Sequence, residues 1–158
     1  MKEKVTLYVR KWGIDMFLGE YEHTLDRKGR VIVPAKFRED LGTCCIITRG
    51  SDGGLNVYTQ AQWDCIYEEL MKLPATKKDV RIYVRSLTSK AHRCDFDSQG
   101  RILIPAKLIE IAKLEKECTI IGAGNHVEVW DSKRWADMDA LQESKFEEIE
   151  EQLTEYVL

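Results

Sequence analysis

Two short strings carry the residues best suited to chemistry. Asp26-Arg27-Lys28-Gly29-Arg30 and Asp97-Ser98-Gln99-Gly100-Arg101 share the pattern D-x-x-G-R and begin 71 positions apart. An arginine offers five N–H donors in a planar fork, a shape that fits phosphate oxygens or the O6/N7 edge of guanine. Arg30 and Arg101 are therefore the candidate nucleic-acid contacts. The carboxylates four residues earlier, Asp26 and Asp97, either pair with their Arg and hold the turn, or orient an Arg that also meets a nucleic acid. The sequence leaves both duties open. Gly29 and Gly100 support the turn by supplying a positive φ that other residues avoid. Arg27, Lys28 and Lys36 add positive charge around the first string, whereas the second has Ser98 and Gln99 at the turn and only Lys107 beyond. The first turn is expected to be the stronger phosphate contact, because each neutralised phosphate releases counterions.

Catalysis is the rival use of the same residues. Asp26 and Asp97 could serve as paired carboxylates, but a general acid needs a raised pKa and a neighbouring Arg lowers it. The Gly-rich string Gly50-Ser51-Asp52-Gly53-Gly54 is read as a hairpin turn and does not open a helix as a phosphate-binding loop does, and no nucleophile elbow is present. The expectation is a protein that is not an enzyme and takes no cofactor. Metal binding is equally unsupported: a zinc site needs about four converging ligands, and His92-x-Cys94 is the only pair of even remotely suitable spacing. The five cysteines (Cys44, Cys45, Cys65, Cys94 and Cys118) are odd in number, show no C-x-x-C, and mostly lie in apolar runs. They read as buried thiols in a reducing compartment.

The elements that position the strings come from an internal repeat. The 13-residue stretch beginning at Leu25, LDRKGRVIVPAKF, recurs from Phe96 as FDSQGRILIPAKL. Further on, Cys45-Ile46-Ile47 is matched with Thr119-Ile120-Ile121, Asn56-Val57-Tyr58 with Glu128-Val129-Trp130, and Trp63 with Trp135. Apolar residues on either side of each D-x-x-G-R predict two short strands paired as a local hairpin. Pro34 and Pro105 suit a first helical position, so short helices are predicted over 34–41 and 105–114, with Gly42 stopping the first. A second hairpin is expected over 44–48 and 55–58, its counterpart turning at Gly122-Ala123-Gly124-Asn125. Thr59 to Gln62 has capping-box form. Trp63, Ile66, Tyr67, Leu70 and Met71 then mark a helix with that face buried. Its counterpart starts at Asp131 and runs several turns longer through Trp135, Met138, Phe146, Ile149 and Leu153. A helix over 79–88 leads into the second copy.

A chain of 158 residues with 44% hydrophobic and 32% charged residues has the composition of an ordinary globular protein. No run approaches the ~18 apolar residues that would cross a bilayer, and the N-terminus lacks the apolar core of a secretory signal. A cytoplasmic protein is expected. The net charge of −3 hides a segregation: residues 131–158 hold nine acidic and three basic residues, leaving 18 acidic and 21 basic in the remainder. A positive face on the body is thus compatible with an acidic chain.

These residues resemble the MraZ family. The resemblance rests on Met16-Phe17-Leu18-Gly19-Glu20-Tyr21, then on the two D-x-x-G-R strings, each followed by three aliphatics and Pro-Ala-Lys. It covers Met16 to about Phe146. It implies an α+β fold of two AbrB-like swapped-hairpin β-barrel halves in pseudo-two-fold tandem, with flanking amphipathic helices. It further implies assembly into closed homo-oligomeric rings and regulation of the division and cell-wall gene cluster. Because neighbouring subunits of such a ring meet a duplex in one orientation, nucleoid association and sequence-specific binding of double-stranded DNA at short direct repeats are expected. The division expected is an extension at 1–15, a first repeat at 16–73, a linker and helix at 74–90, and a second repeat with its acidic helix at 91–158. Two other readings compete. One is a ring-forming scaffold without specific DNA binding; the other is the antitoxin branch of AbrB-like proteins, which usually carries one motif and a disordered toxin-binding tail.

Overall fold

The structure is a computed structural model that describes residues 16–157; the 1–15 extension lies outside the described residues. In chain order the elements are β1 (Glu20–Thr24), β2 (Arg30–Ile32), α1 (Ala35–Leu41), β3 (Cys44–Arg49), β4 (Leu55–Tyr58), α2 (Gln60–Met71), α3 (Lys78–Thr88), β5 (His92–Asp95), β6 (Arg101–Leu103), α4 (Ala106–Ala112), β7 (Glu117–Gly122), β8 (Val127–Asp131) and α5 (Ser132–Val157). The fold is α+β, with antiparallel sheets and five helices among the described residues.

Strand pairing corrects the local reading of the motif strings. The strands flanking each D-x-x-G-R do not pair with each other. β1 pairs with β7, β5 with β3, and β2 with β6, every pair antiparallel. Six strands form one sheet in the order β1-β7-β8-β4-β3-β5, and β2-β6 is a separate two-stranded ribbon. Exchanging the two halves turns the six-strand order into its own reverse, so a pseudo-two-fold axis passes between β8 and β4. The same exchange maps the ribbon onto itself, with Arg30 opposite Leu103, Val31 opposite Ile102 and Ile32 opposite Arg101. The hairpins β3-β4 and β7-β8 do form locally, as expected.

The register between the copies also shifts. Cys45 faces Cys94 on β5, and Cys118 faces His23 on β1. His23 and Cys94 are equivalent at the repeat spacing, so Cys118, not Thr119, is the counterpart of Cys45. Both runs, CCIITR and ECTIIG, lack the period-2 alternation that fixes register from sequence.

Core packing explains the ribbon. Val31 and Ile102 have no exposed surface and join Phe17, Val33, Phe37, Ile104, Leu108 and Ile120 in one apolar cluster. Alternation along a strand then turns Arg30, Ile32, Arg101 and Leu103 to the opposite face, where Ile32 and Leu103 are exposed. Pro34 and Pro105 are extended caps (ψ 139° and 141°) and not first helical residues, so α1 and α4 begin one residue later than predicted, and α4 ends at Ala112. The capping box on α2 is present: Thr59 Oγ1 accepts from the Gln62 amide, and Gln62 Oε1 accepts from the Thr59 amide. The predicted buried face of α2 is not; only Gln62 and Leu70 are buried, while Tyr67 and Met71 are exposed. Gln62 is buried because its Nε2 crosses to the Asn125 carbonyl in the β7-β8 turn. Arg134 does the mirror-image task, donating to the Gly53 carbonyl in the β3-β4 turn at 3.1 Å. Each half thus pins the other's hairpin. α5 is longer than α2, as expected, and from Asp139 to Tyr156 every side chain is exposed.

Candidate nucleic-acid interface

Each motif turn is built by its aspartate. Asp26 Oδ1 accepts from the Lys28 and Arg30 amides, both at 2.9 Å, and Oδ2 accepts from Arg30 Nε at 2.7 Å. Asp97 repeats these distances with the Gln99 amide, the Arg101 amide and Arg101 Nε. The turn closes through Gly29 N–H to the Asp26 carbonyl and Gly100 N–H to the Asp97 carbonyl, each at 3.0 Å. The glycines sit at φ +84° and +75°, the left-handed region. The backbone N–H of Arg30, then the Arg30 side chain, hold the Asp26 carboxyl below its ordinary 3.8 against partial desolvation; Arg101 does the same to Asp97. Both carboxylates are thereby kept ionised, the direction opposite to what a general acid needs.

The ribbon brings the two turns together. Arg101 Nη1 lies 3.9 Å from Asp26 Oδ2, the oxygen already bonded to Arg30 Nε, so one carboxylate of the first half touches both guanidinium groups. Two cross-bonds lock the arrangement: Val33 N–H donates to the Gly100 carbonyl at 3.0 Å and Ile104 N–H to the Gly29 carbonyl at 2.8 Å. Arg30 and Arg101 are partly exposed. Their Nε atoms are bound to Asp26 and Asp97, and Arg101 Nη1 also lies by Asp26, while no hydrogen bond or ion pair among the described residues engages the Arg30 Nη groups. Arg27 and Lys28 are exposed at the tip of the first turn. Lys36 and Lys107 are exposed in the first turn of α1 and α4, and Lys107 Nζ lies 3.7 Å from Glu110 of its own helix. No hydrogen bond or ion pair among the described residues joins either lysine to the motif turns.

A model of the family described as "MraZ protein, putative antitoxin-like" matches the chain twice, over residues 16–86 and 87–156. The chain belongs to the MraZ family. Within it, proteins named "Transcriptional regulator MraZ" are similar over their whole length. That of Ligilactobacillus salivarius is 48% identical over 143 residues, and that of Pediococcus pentosaceus 46% over 143 residues; both alignments cover 90% of this chain and all of the relative. That of Lactiplantibacillus plantarum is 44% identical over 141 residues, 89% of this chain and all of the relative.

One residue at the site escaped the sequence reading. A Cβ built on Gly100 would fall inside the guanidinium of Arg38, from α1 of the first half. The pseudo-symmetric position is occupied by Ile109 of α4, whose Cδ1 lies 3.2 Å from a Cβ on Gly29. The repeat spacing equates Arg38 with Ile109, but only the crossed pairing of the halves places each beside the other's turn. The buried thiols are chemically quiet: burial pushes Cys94 and Cys118 up to about 11, and Cys45 higher still. Cys44 is also buried and Cys65 half-buried. No cluster of three or more His, Cys, Asp or Glu suited to a metal occurs among the described residues, and no helix there is long and apolar enough to cross a membrane.

Proposed function

We propose that this chain is a cytoplasmic, nucleoid-associated transcriptional regulator that binds double-stranded DNA through the outward face of the β2-β6 ribbon. The observation that carries this reading is the juxtaposition of the two D-x-x-G-R turns on one face, with a guanidinium from each half touching a single carboxylate. Arg30 and Arg101 supply paired N–H donors for guanine edges or phosphates. Arg27, Lys28, Lys36 and Lys107 supply sequence-independent attraction to the backbone. Ile32 and Leu103, exposed between the two arginines in ribbon register, suit contact with thymine methyls. Asp26 and Asp97 hold Nε inward, so the forks meet DNA already oriented. Gly29 and Gly100 allow the close approach of the opposite half. The crossed pairing of β1 with β7, β5 with β3, and β2 with β6 fits two AbrB-like swapped-hairpin halves closing as a barrel. The relatives' name supports transcriptional regulation. The family resemblance extends it to repression of the chain's own operon and of the division and cell-wall genes.

The operator follows from assembly. Residues 72–93 carry seven basic residues and one acidic, and 139–157 carry seven acidic and one basic. The acidic half of α5 also exposes Phe146, Ile149, Leu153 and Tyr156 at the 3, 4, 3 spacing of a helix–helix seam. Such complementary surfaces on one chain favour head-to-tail contacts between copies, and head-to-tail contacts form rings when the rotation between neighbours closes, as in the family the chain resembles. Neighbouring subunits on one side of a duplex would then read it in the same orientation, which gives direct repeats about 10 to 10.5 base pairs apart. The test is footprinting of DNA immediately upstream of the chain's own gene, followed by insertion of five base pairs between adjacent boxes. A footprint of direct repeats and a large loss of affinity on insertion are expected. An inverted-repeat footprint or unchanged affinity refutes the geometry, and assembly without any shift of this DNA favours the scaffold reading.

A further inference from the structure

We propose that Arg38, carried by α1 of the first half, is a phosphate-contacting residue of the second half's motif turn. The inference rests on the DNA-binding reading above and goes beyond it, because no sequence motif marks Arg38. The guanidinium lies against Gly100, where any Cβ would collide with it. Packing over the turn does not require a charge there. At the mirror position the same space over Gly29 is filled by Ile109, an aliphatic side chain. Arg38 is also half-exposed, and among the described residues no carboxylate lies within ion-pair distance of it. Arg30 and Arg101, by contrast, each spend their Nε on an aspartate. The charge sits where it is missing: the second turn has Ser98 and Gln99 at the positions of Arg27 and Lys28. The first half therefore lends its neighbour the cation that the second string lacks. The ligand class is the phosphodiester backbone of a duplex, because an arginine side chain with no hydrogen-bond or ion-pair partner among the described residues offers its N–H groups to oxygen acceptors without a fixed partner to aim them at a base.

The experiment uses the full chain and a duplex covering the region immediately upstream of its own gene, with binding titrated over a range of salt. Arg38→Ile copies the mirror position, keeping an aliphatic side chain over Gly100 and removing the charge. Expected are an unchanged melting temperature, weaker binding at low salt, and a salt dependence reduced by about 0.9 in log–log slope per lost phosphate contact. Arg38→Lys should restore the slope, which a purely packing role would not predict. If Arg38→Ile loses its fold, Arg38→Gln, which keeps a long polar side chain, gives the same readout. Unchanged affinity and slope in Arg38→Ile, while Arg30→Ala still weakens binding, overturns this proposal alone. Failure of the wild-type chain to bind the duplex at all overturns the proposal together with the reading on which it rests.

Discussion

Replacing Arg30 by alanine separates a DNA-contacting arginine from a merely structural one. In the native turn Asp26 holds Arg30 twice, through the backbone amide at 2.9 Å and through Nε at 2.7 Å, and holds the Lys28 amide at 2.9 Å. Alanine removes only the side-chain bond. Both backbone bonds to Asp26 Oδ1 survive, as do the Ile104 N–H to Gly29 carbonyl bond and the burial of Val31. The melting temperature should therefore move by no more than about 2 °C, the response of a surface position in a chain of this size. What is lost is the outward pair of Nη donors. If these form a bidentate contact with guanine, the loss is on the order of 1 to 3 kcal/mol per engaged subunit, roughly 5- to 150-fold in affinity, with discrimination relaxed at that base. If they meet a phosphate, affinity falls for all sequences alike and the salt slope drops by about 0.9. Arg101→Ala should cost less, because the second turn carries Ser98 and Gln99 in place of Arg27 and Lys28 and has only the borrowed Arg38 to hold the DNA close. Fluorescence anisotropy with specific and scrambled duplexes at several salt concentrations distinguishes these cases, and circular dichroism reports the fold. An Arg30→Ala protein that is unfolded, or folded with unaltered affinity and salt slope, refutes the assignment.

Three further outcomes are expected. Removing residues 143–158 deletes most of the exposed apolar stripe of α5 and should lower the particle mass by light scattering; a truncated protein with the same number of subunits would refute a role in assembly. Gly29→Ala places a Cβ 3.2 Å from the Ile104 carbonyl oxygen at φ +84°, and the left-handed conformation costs about 1–2 kcal/mol, so calorimetry should show Tm reduced by about 2–8 °C, and an unchanged Tm would be inconsistent with this geometry. Because the native pKa values of Asp26 and Asp97 lie below 3.8, the stabilisation they give the turns is complete above that value and is lost as pH falls through the native pKa. The amide resonances of Lys28, Arg30, Gln99 and Arg101 should accordingly shift with midpoints below 3.8, and a midpoint at or above it would contradict the hydrogen bonding described.

The motif residues were legible because their roles are local. An aspartate four residues before an arginine, with glycine between, specifies a turn whatever the rest of the chain does, and Asp26 and Asp97 build it with the same bond lengths. Strand partners were not legible, for a reason built into a duplicated sequence. The segments that flank Asp26 carry the same apolar pattern as those that flank Asp97, so periodicity cannot say whether β2 pairs with its neighbour β1 or with β6 of the other copy. The structure chooses β6. Register failed for a related reason, since the uniformly buried β3 and β7 look alike when slid by one residue. Burial of α2 was overestimated because its apolar spacing is helical on a face only partly covered, leaving Tyr67 and Met71 exposed. Arg38 gave no signal at all, being an unremarkable cation on a short helix until the crossed halves set it over Gly100.

Crossed pairing also bears on why the motif occurs twice in one chain. In a single copy, β2 would be a three-residue strand with no ladder partner, and its turn glycine would lack the Ile104 N–H that now bonds its carbonyl. Val31 would lose Ile102 as its cross-strand neighbour, and Gly29 would lose the cover of Ile109. An isolated pair of short strands is marginal in water, so neither turn would hold its arginine in a fixed place. Two copies solve this mutually: each supplies the other's ladder, the side chain over the other's glycine, and a side chain from α2 or α5 that pins the other's hairpin turn. Once that exchange is made, the copies need not stay alike. The partner of a position matters more than its own string, so the second turn can carry Ser98 and Gln99 while a cation from the first half, Arg38, stands over it. The asymmetry between Arg27-Lys28 and Ser98-Gln99 is thus partly offset within one shared ribbon, where guanidinium groups from both halves are drawn to Asp26.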